Sequence, residues 1–526
     1  MSSNQLLSLS RYGRALTRTA GAFAAVLSLA TAHADSADHF PVRLSPEIPH
    51  DINPELRQSL INAKEYARLE RDFNILSWQS FIAINWPVDS KGVPLAKFGD
   101  RGTPRWMDWK ESFEVFRCDG GKPSPWGSDR STLPTCDQGK ALNAISNALP
   151  NPGKHTRLLY LSDKSRNLSR NVLDETGQAF TGPLADQNGN VVRYEILLNK
   201  DEFDYIVDEN NQLYNLDGQI RFSQTHAKAN FPSGDFHGKT VGALEIKLAW
   251  KVLDESKGDL PSRFFTSDAY IYENGTWRKT LMGLVGMHIS QKTQTSPQWV
   301  WSTFEQVDNI QVNALEEVTV NGKKVHVKPS FNNPDCETCV INQLAYKDDA
   351  HKKAGVPLPA QMHRMIPIPL ATAQLNQEVQ ALLRAESSVF QYYELVGTQY
   401  PLDATAAPST PGNVPQAINN KPGGNPNRAY LTNMTMETYF QLGNQNASNL
   451  QEGNPPSKQQ VFGTESCMGC HSSAGIATGY TQDPSGSKTA IFNAQLTGDF
   501  SWLLSQKAQW AKPRASPPRV AGPTVP

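Results

Sequence analysis

The chain has 526 residues, of which 38% are hydrophobic, 9% aromatic and 19% charged, and its formal net charge is −1. This length allows two or three packed domains, and the composition excludes a disordered polymer. The balanced charge excludes a strongly basic nucleic-acid-binding surface. No apolar run after residue 34 approaches the roughly 20 residues that span a bilayer, so we expect no nucleic-acid partner and no membrane span.

The first 34 residues have the pattern of a secretory signal peptide. Three basic residues form its positive region: Arg11, Arg14 and Arg18. Ala20–Ala32 is apolar and small, and Ala32-His33-Ala34 fits a small-x-small cleavage site. An amphipathic N-terminal helix is the alternative, but no acidic residue precedes Asp35. We therefore predict cleavage after Ala34 and release into the oxidising bacterial periplasm.

The N-terminal part of the mature chain is predicted to be helical. Asn53-Pro54 combines a capping side chain with proline at the first helical position. Apolar residues then recur at helical spacing with one phase slip, and the helix should end before Trp86-Pro87 because the residue before proline is disfavoured in a helix. The aromatic residues that follow are expected to pack in the core.

The centre of the chain has the alternation that is typical of antiparallel strands. Apolar residues occupy every second position of 242–253: Leu244, Ile246, Leu248, Trp250 and Val252. Residues 264–272, 277–290 and 299–305 extend the β-rich region. Glu273-Asn274-Gly275 is a strong hairpin signal, and Asn321-Gly322 predicts a further small hairpin.

Four of the six cysteines are predicted to be structural. Cys118 and Cys136 flank a loop rich in glycine, proline and serine, and a disulfide there would stabilise the fold by about 3 kcal/mol. Cys336-Glu337-Thr338-Cys339 favours a local disulfide because no basic residue adjoins it to lower a thiol pKa. A catalytic dithiol is the alternative at this second pair.

Two further segments precede the C-terminal region. Thr372 is the predicted cap of a helix that runs to about Ser388. Residues 404–427 contain five prolines and three glycines, which indicates a linker or long loop. Residues 512–526 are rich in proline and are expected to be a disordered tail.

Cys467-Met468-Gly469-Cys470-His471 is the most informative stretch of the sequence. Two thiols three positions apart can each form a thioether with a vinyl group of haem, and the adjacent histidine can ligate the iron. The alternatives are a redox dithiol or half a zinc site, but no cysteine or histidine follows His471 to complete a zinc site. We therefore predict one covalent haem c at Cys467, Cys470 and His471.

On these residues the chain resembles exported bacterial c-type cytochromes that carry a single haem motif near the C-terminus of a large chain. The specific match covers Ser466 to Ala474, and a weaker likeness lies in Trp299–Glu305 and Asn433–Thr438. The resemblance implies a haem protein with redox chemistry and names no substrate.

The second axial ligand of the iron must come from upstream of the motif, because none of the 55 residues after His471 is methionine or histidine. Met434 and Met436 are the nearest candidates, with packing residues as the alternative. His288 and His363 are further candidates, and an iron without a second protein ligand would be open to a substrate.

The predicted fold class is α+β, with an N-terminal helix, a central antiparallel β-rich region and a mainly helical or irregular C-terminal haem segment. The predicted division is a main domain at 35–403, the linker at 404–427 and the haem segment at 428–511.

Three functions fit a periplasmic mono-haem c-type cytochrome protein. It could be an electron carrier or haem sensor that exchanges electrons with a redox partner, it could be a haem-dependent oxidoreductase with a small-molecule substrate, or its haem could serve only to stabilise the fold. The large chain favours an enzyme, for which His288 and Glu305 are acid–base candidates because their β segments could be neighbours.

Overall fold

The computed structural model describes residues 42–128, 157–160, 183–273, 276–310, 317–320, 322–343, 358–405, 425–428, 430–439, 441, 466–493 and 497–511. Within them the fold is α+β, as the sequence predicts. The helices are α1 (Pro54–Ala63), α2 (Tyr66–Ile84), α3 (Ser112–Val115), α4 (Lys200–Val207), α5 (Leu216–Ser223), α6 (Leu370–Ala385), α7 (Cys467–His471) and α8 (Leu503–Gln506). Short 3-10 turns lie at Arg105–Asp108, Glu255–Lys257, Pro261–Arg263 and Val389–Tyr392.

The strands fall into one large sheet and several small pairs. The large sheet contains β3 (Lys110–Glu111), β4 (Arg157–Tyr160), β5 (Arg193–Leu198), β6 (Leu244–Val252), β7 (Thr266–Glu273), β8 (Thr276–Gln291), β9 (Val300–Gln306) and β12 (Tyr393–Gln399). The small pairs are β1 (Pro87–Val88) with β2 (Thr103–Pro104), β10 (Glu317–Val320) with β11 (Lys323–His326), β13 (Pro401–Asp403) with β14 (Asn425–Pro426), and β15 (Ile476–Gln482) with β16 (Lys488–Asn493).

The first two helices explain the phase slip in the sequence. The side chain of Asn53 accepts a hydrogen bond of 2.9 Å from the Leu56 amide and caps α1. Lys64 follows α1 with φ of 59°, which ends that helix before α2 begins at Tyr66. The helix α2 ends at Ile84, before Trp86-Pro87, as predicted. In contrast, α6 begins at Leu370, so Thr372 lies inside the helix instead of capping it, and its buried hydroxyl accepts a hydrogen bond from Asn74.

The large sheet runs in the order β12-β9-β8-β6-β5-β3, and all neighbours on this path are antiparallel. The long strand β8 also pairs with β7, in the hairpin predicted at Glu273-Asn274-Gly275, and β4 joins β7 in parallel. The small hairpin of β10 and β11 lies where Asn321-Gly322 predicted it. The antiparallel β-rich centre is therefore present.

The two faces of the sheet have opposite character because alternate residues of a strand point to opposite sides. One face is apolar and packs on α2 and α6; its members include Ile246, Leu248, Met287, Ile289, Phe304 and Leu395. Trp78 and Phe81 of α2 contact Phe304 with ring centroids 4.9 and 4.3 Å apart. The other face, which we call the polar face, carries Glu245, Lys247, His288, Ser290, Trp301, Thr303, Glu305 and Gln399.

The C-terminal segment differs from the sequence expectation in two respects. Besides the short helices α7 and α8 and irregular stretches, it contains the hairpin of β15 and β16, which the sequence did not predict. Its apolar side chains also share one core with the rest of the chain: Val115, Phe116, Phe203, Leu216, Trp299, Trp301, Met468, Ile476, Phe500 and Leu504. The described residues form one compact unit, and 428–511 is not a separately packed domain.

Some of the remaining sequence predictions concern described residues, and the others concern residues outside the described ranges. Cys336 and Cys339 form a disulfide, as predicted, with Cα atoms 5.5 Å apart. Cys118 is disulfide-bonded, while its predicted partner Cys136 lies outside the described residues. The signal peptide, most of 404–427 and the tail at 512–526 also lie outside them. No helix in the described part of the chain is long and apolar enough to cross a membrane.

Candidate functional site

The helix α7 presents the Cys467–His471 motif on the polar face of the sheet. Ser466 caps the helix by accepting a hydrogen bond from Gly469 N, and the side chain of Gln399 at the end of β12 holds the same turn. Gln399 donates to Ser466 Oγ at 2.8 Å and accepts from Met468 N at 2.8 Å. Met468 itself is fully buried in the core shared with Trp299 and Ile476. The motif is therefore anchored from both the sheet and the core.

The imidazole of His471 is oriented by a backbone carbonyl. Its Nδ1 lies 2.8 Å from the carbonyl oxygen of Phe500. Because a carbonyl can only accept, Nδ1 carries the proton and Nε2 keeps its lone pair. Burial lowers the pKa of His471 to about 4, with the positive charges of Lys247 and His288 acting in the same direction, so the ring is neutral at neutral pH. A neutral histidine that donates its other nitrogen to a carbonyl is the usual form of a metal ligand.

The carbonyl of Phe500 is presented by a strained turn. Asp499 has φ of 48° and Phe500 has φ of 70°, in the left-handed region that non-glycine residues rarely adopt. The carboxylate of Asp499 forms an ion pair with Lys292 and accepts a hydrogen bond of 2.7 Å from Phe231 N. Ser501 donates to Glu245 Oε2 at 2.9 Å. These contacts on either side of Phe500 fix its carbonyl against His471.

The segment Asn433–Thr438 docks on the same face. Asn433 Nδ2 donates to Thr303 Oγ1 at 2.8 Å and to the Phe304 carbonyl at 2.9 Å. Met434 N donates to Glu305 Oε1 at 2.8 Å, so the two stretches that carried the weaker likeness in the sequence are directly bonded. Trp301 also contacts His471, with ring centroids 4.4 Å apart. The Cys467–His471 motif and the two stretches of weaker likeness therefore lie together.

A group of three titratable side chains faces the motif. Lys247 and His288 are register partners on β6 and β8, and His288 Nε2 lies 3.3 Å from Glu437 Oε2. Burial opposes ionisation of Glu437, but the charge of His288, its hydrogen bond and the charge of Lys247 lower the pKa of this carboxyl overall. Glu437 also accepts a hydrogen bond of 2.9 Å from Asn433 N. All three charges act on the His471 ring.

The thiols of the motif are not in a disulfide. Burial raises the pKa of Cys467 well above its ordinary value, and the nearby charge of Glu437 raises it further. A redox-active cysteine instead has a lowered pKa, since the thiolate is its reactive form. Within the described residues no group of three or more histidine, cysteine, aspartate or glutamate side chains is arranged to hold a metal ion.

The upstream ligand candidates occupy different surroundings. Met434 and Met436 are both fully buried, and Met436 packs in a separate cluster with Tyr194, Phe264 and Met362. His288 faces the motif, whereas His363 is exposed, with backbone hydrogen bonds to Asn342.

The acid–base pair suggested from the sequence is not formed. Gly286 is the register partner of Glu305, so Glu305 and His288 do share one face of neighbouring strands. However, Glu305 is held by Arg364, whose Nη2 lies 2.7 Å away, and by Met434 N. The carboxylate that pairs with His288 is Glu437 instead.

Sequence reasoning missed the parts of the site that have no local signature. Gln399, Lys247 and the turn at Asp499 and Phe500 reach the motif through the tertiary fold. The sequence does not distinguish Lys247 or Gln399, because β6 also contains Glu245 and Lys251 and β12 also contains Glu394 and Thr398.

Comparisons with protein-family models, with curated proteins and with solved structures find no match to this chain.

Proposed function

We propose that this chain is an exported electron-transfer protein that carries one haem c, attached to Cys467 and Cys470 and ligated by His471. Its partner would be a redox protein or a small molecule in the periplasm. Haem supplies a one-electron couple at its iron when bound. The residues of this chain bind it, orient the axial imidazole and hold the polar face against it.

The observation that carries the proposal is the hydrogen bond from His471 Nδ1 to the Phe500 carbonyl. It fixes the tautomer and leaves the lone pair on Nε2, which a histidine needs in order to ligate iron. Both cysteines lie on the same five-residue helix as this ring, so one haem can reach all three side chains.

The pKa of the Cys467 thiol supports haem attachment over a redox dithiol. Burial and Glu437 keep this thiol protonated, so it is a poor nucleophile for disulfide exchange. The motif also differs from Cys336 and Cys339, which lie on an exposed turn and are already joined.

The test is covalent retention of haem by the mature protein, expressed with a haem c maturation system. Haem should remain on the denatured polypeptide and should be lost from the Cys467→Ala/Cys470→Ala variant. The Cys336→Ala/Cys339→Ala variant, which removes a disulfide of the same spacing, should keep it. Haem that stays on the denatured chain without Cys467 and Cys470 would contradict the proposal.

A haem-dependent oxidoreductase is a second candidate, and the group of Lys247, His288 and Glu437 favours it. A histidine held by a buried carboxylate can move a proton to or from a substrate, and a nearby lysine can bind an anionic one. The three side chains act electrostatically on His471, so they would be close to a haem bound at that histidine.

Carbon monoxide binding separates the two candidates. An enzyme with an open iron should bind carbon monoxide rapidly in its ferrous state, and its peroxide-dependent turnover should fall at least tenfold in His288→Ala with haem content unchanged. His363→Ala, at an exposed site, is the matched control and should retain full turnover. A ferrous spectrum that carbon monoxide does not change would support the electron carrier and reject the enzyme.

A further inference from the structure

A buried carboxyl on the side of the sheet that holds the motif has no role in the site described so far. Glu202 lies in the first turn of α4, and its side chain is fully buried. Neither of its oxygens has a hydrogen-bond partner among the described residues. Burial of a carboxyl without a partner penalises its ionised form, so the surroundings of Glu202 favour the protonated acid.

Two other carboxyls face Glu202 from different elements. Glu245 comes from β6 and Asp499 from the strained turn, and their charges add to burial in raising the pKa of Glu202 well above its ordinary value. Glu245 accepts from Ser501, and Asp499 pairs with the buried Lys292. Further charged or titratable groups around the cluster include Lys228, which acts on Lys292 and Asp499, and Tyr205 of α4, which interacts with Asp499.

Two members of this acidic cluster are tied to residues next to Phe500, because Asp499 precedes it in the chain and Glu245 accepts a hydrogen bond from Ser501. Asp499 and Ser501 flank Phe500, whose carbonyl accepts the proton of His471 Nδ1. An iron bonded to His471 would act electrostatically on the protein groups around that ligand. Electrostatic interactions in a buried region are poorly screened. A change in iron charge would therefore change the proton affinity of the carboxyls in this cluster.

We propose that Glu202 is a redox-linked proton site for the haem. When a one-electron donor reduces a haem bound at His471, the carboxylate of Glu202 would take up one proton from solvent. On oxidation the electron and the proton leave again, so the buried region gains no net charge in either direction. The inference rests on the proposed haem c function, since it needs an iron bound to His471.

The physical reason is a competition between two effects on the same carboxyl. Burial, Glu245 and Asp499 favour the protonated acid, and this preference is largest when the haem is reduced. The extra positive charge of ferric haem favours the carboxylate. Oxidation therefore releases a proton at pH values between the pKa of Glu202 in the oxidised protein and its higher pKa in the reduced protein.

The experiment measures the reduction potential of the holoprotein as a function of pH by spectroelectrochemistry. The wild-type potential should fall with rising pH over part of the range, with a limiting slope of about 59 mV per pH unit for one proton per electron. Glu202→Gln and Glu202→Leu should both remove this slope. The leucine variant replaces the unpartnered carboxyl with an apolar group of similar volume, so that a folding defect of one variant leaves the other informative.

Asp186→Asn is the matched control for removing a buried carboxyl. Asp186 is fully buried and burial raises its pKa, but it pairs with Lys251 near the far end of β6 from Glu245. This variant should keep the wild-type slope. Infrared difference spectra of the reduced and oxidised protein should also contain a carboxylic acid carbonyl band that disappears in Glu202→Gln.

The outcomes separate this inference from the proposed function. Covalent haem with a pH slope that is the same in wild type, Glu202→Gln and Glu202→Leu would overturn the inference and leave the haem proposal intact. A wild-type potential that does not change with pH would also overturn it. Absence of covalent haem would overturn both.

Discussion

Met434 and Met436 differ in their surroundings although only one residue separates them. Met436 fills a hydrophobic cluster with Phe264 and Met362, where its side chain has apolar neighbours. Met434 is equally buried but is not part of that cluster, and its amide is bonded to Glu305 beside the polar face. The structure thus gives Met436 a packing role and leaves Met434 as the methionine candidate for the second axial ligand.

Replacing each methionine by leucine tests this distinction in the haem-loaded form of the proposed function. Met434→Leu should remove the weak charge-transfer band of thioether-ligated ferric haem and lower the reduction potential, because a thioether favours ferrous iron. Met436→Leu should keep the band and change the free energy of unfolding by less than about 1.5 kcal/mol. A bis-histidine spectrum, or loss of the band only in Met436→Leu, would show that the assignment is wrong.

The raised pKa of Glu394 predicts that the stability of the fold changes with pH near neutrality. Burial raises its pKa to about 7, with Glu305 acting in the same direction and Arg364 opposing it. Between about pH 4.5 and 7 the folded chain keeps a proton that the unfolded chain releases, so stability falls as pH rises through this window. The loss at pH 8 relative to pH 5 should reach about 3 kcal/mol in the wild type.

Urea unfolding at these two pH values, compared between wild type and Glu394→Gln, isolates this contribution from other titrating groups. The wild type should lose more stability than the variant as the pH rises. Equal losses in the two proteins would mean that Glu394 ionises normally in the folded state.

At the residue scale, sequence reasoning finds a site only where the chemistry requires local spacing. Two thioethers and one axial ligand must come from five consecutive residues, so Cys467, Cys470 and His471 could be proposed as a haem site from the sequence alone. The carbonyl that orients His471 could not, because every residue has one and Phe500 is selected only by the turn. The partner of His288 is Glu437 and not Glu305 for the same reason: the fold decides which carboxylate is closest.

The docking of 433–438 on the sheet depends on a close approach between two elements. A Cβ atom added to Gly286 of β8 would lie only 2.2 Å from Thr435 Oγ1 and 3.2 Å from Asn433 Oδ1. Thr435 Oγ1 is itself bonded to Asn433, and Tyr194 donates to the Thr435 carbonyl at 2.6 Å. Glycine at 286 therefore allows this segment to reach the polar face.

Gly286→Ala should push the segment away from β8 and destabilise the protein by about 1 to 3 kcal/mol. The measurement is the free energy of unfolding in urea. Gly479→Ala, in a strand where an added Cβ meets nothing within 4 Å, is the matched control and should change stability by less than about 0.5 kcal/mol. Equal stability of the two alanine variants would mean that the segment can shift without loss.

Elements with a strong periodic signal were predictable, and elements defined by tertiary contact were not. The alternation in β6 and the Asn-Gly signal in the β7–β8 hairpin derive from local geometry, so both appear where the sequence placed them. The hairpin of β15 and β16 was missed. Its strands contain exposed polar residues and short apolar runs, and β15 packs through Ile476 and Ala477 at one end only.

At the scale of the whole molecule, the C-terminal segment is part of the central fold. Its side chains complete a core that begins at Val115 and includes Trp299 and Trp301 of the sheet region. The proline-rich stretch at 404–427 suggested a domain boundary. The composition of a connecting segment does not show whether the parts on either side of it pack against each other. A haem bound at α7 would therefore be held by the main body of the protein.

This shared core predicts that the haem segment and the sheet unfold together. Leu504 of α8 is fully buried in it, so Leu504→Ala should lower the free energy of unfolding by about 2 to 5 kcal/mol. The same shift should appear in the Soret absorption of the proposed haem, which would report on the C-terminal segment, and in far-ultraviolet circular dichroism, which is dominated by the rest of the chain.

Leu382→Ala provides the matched control, because Leu382 of α6 is 37% exposed and its truncation removes less buried surface. It should shift both transitions by less than half as much. If the two transitions coincide in the wild type and shift together in Leu504→Ala, the chain unfolds as one cooperative unit. A cavity in a separate domain would shift only the transition of that domain. A Leu504→Ala protein whose Soret transition shifts while its circular dichroism transition stays in place would instead restore the two-domain division predicted from the sequence.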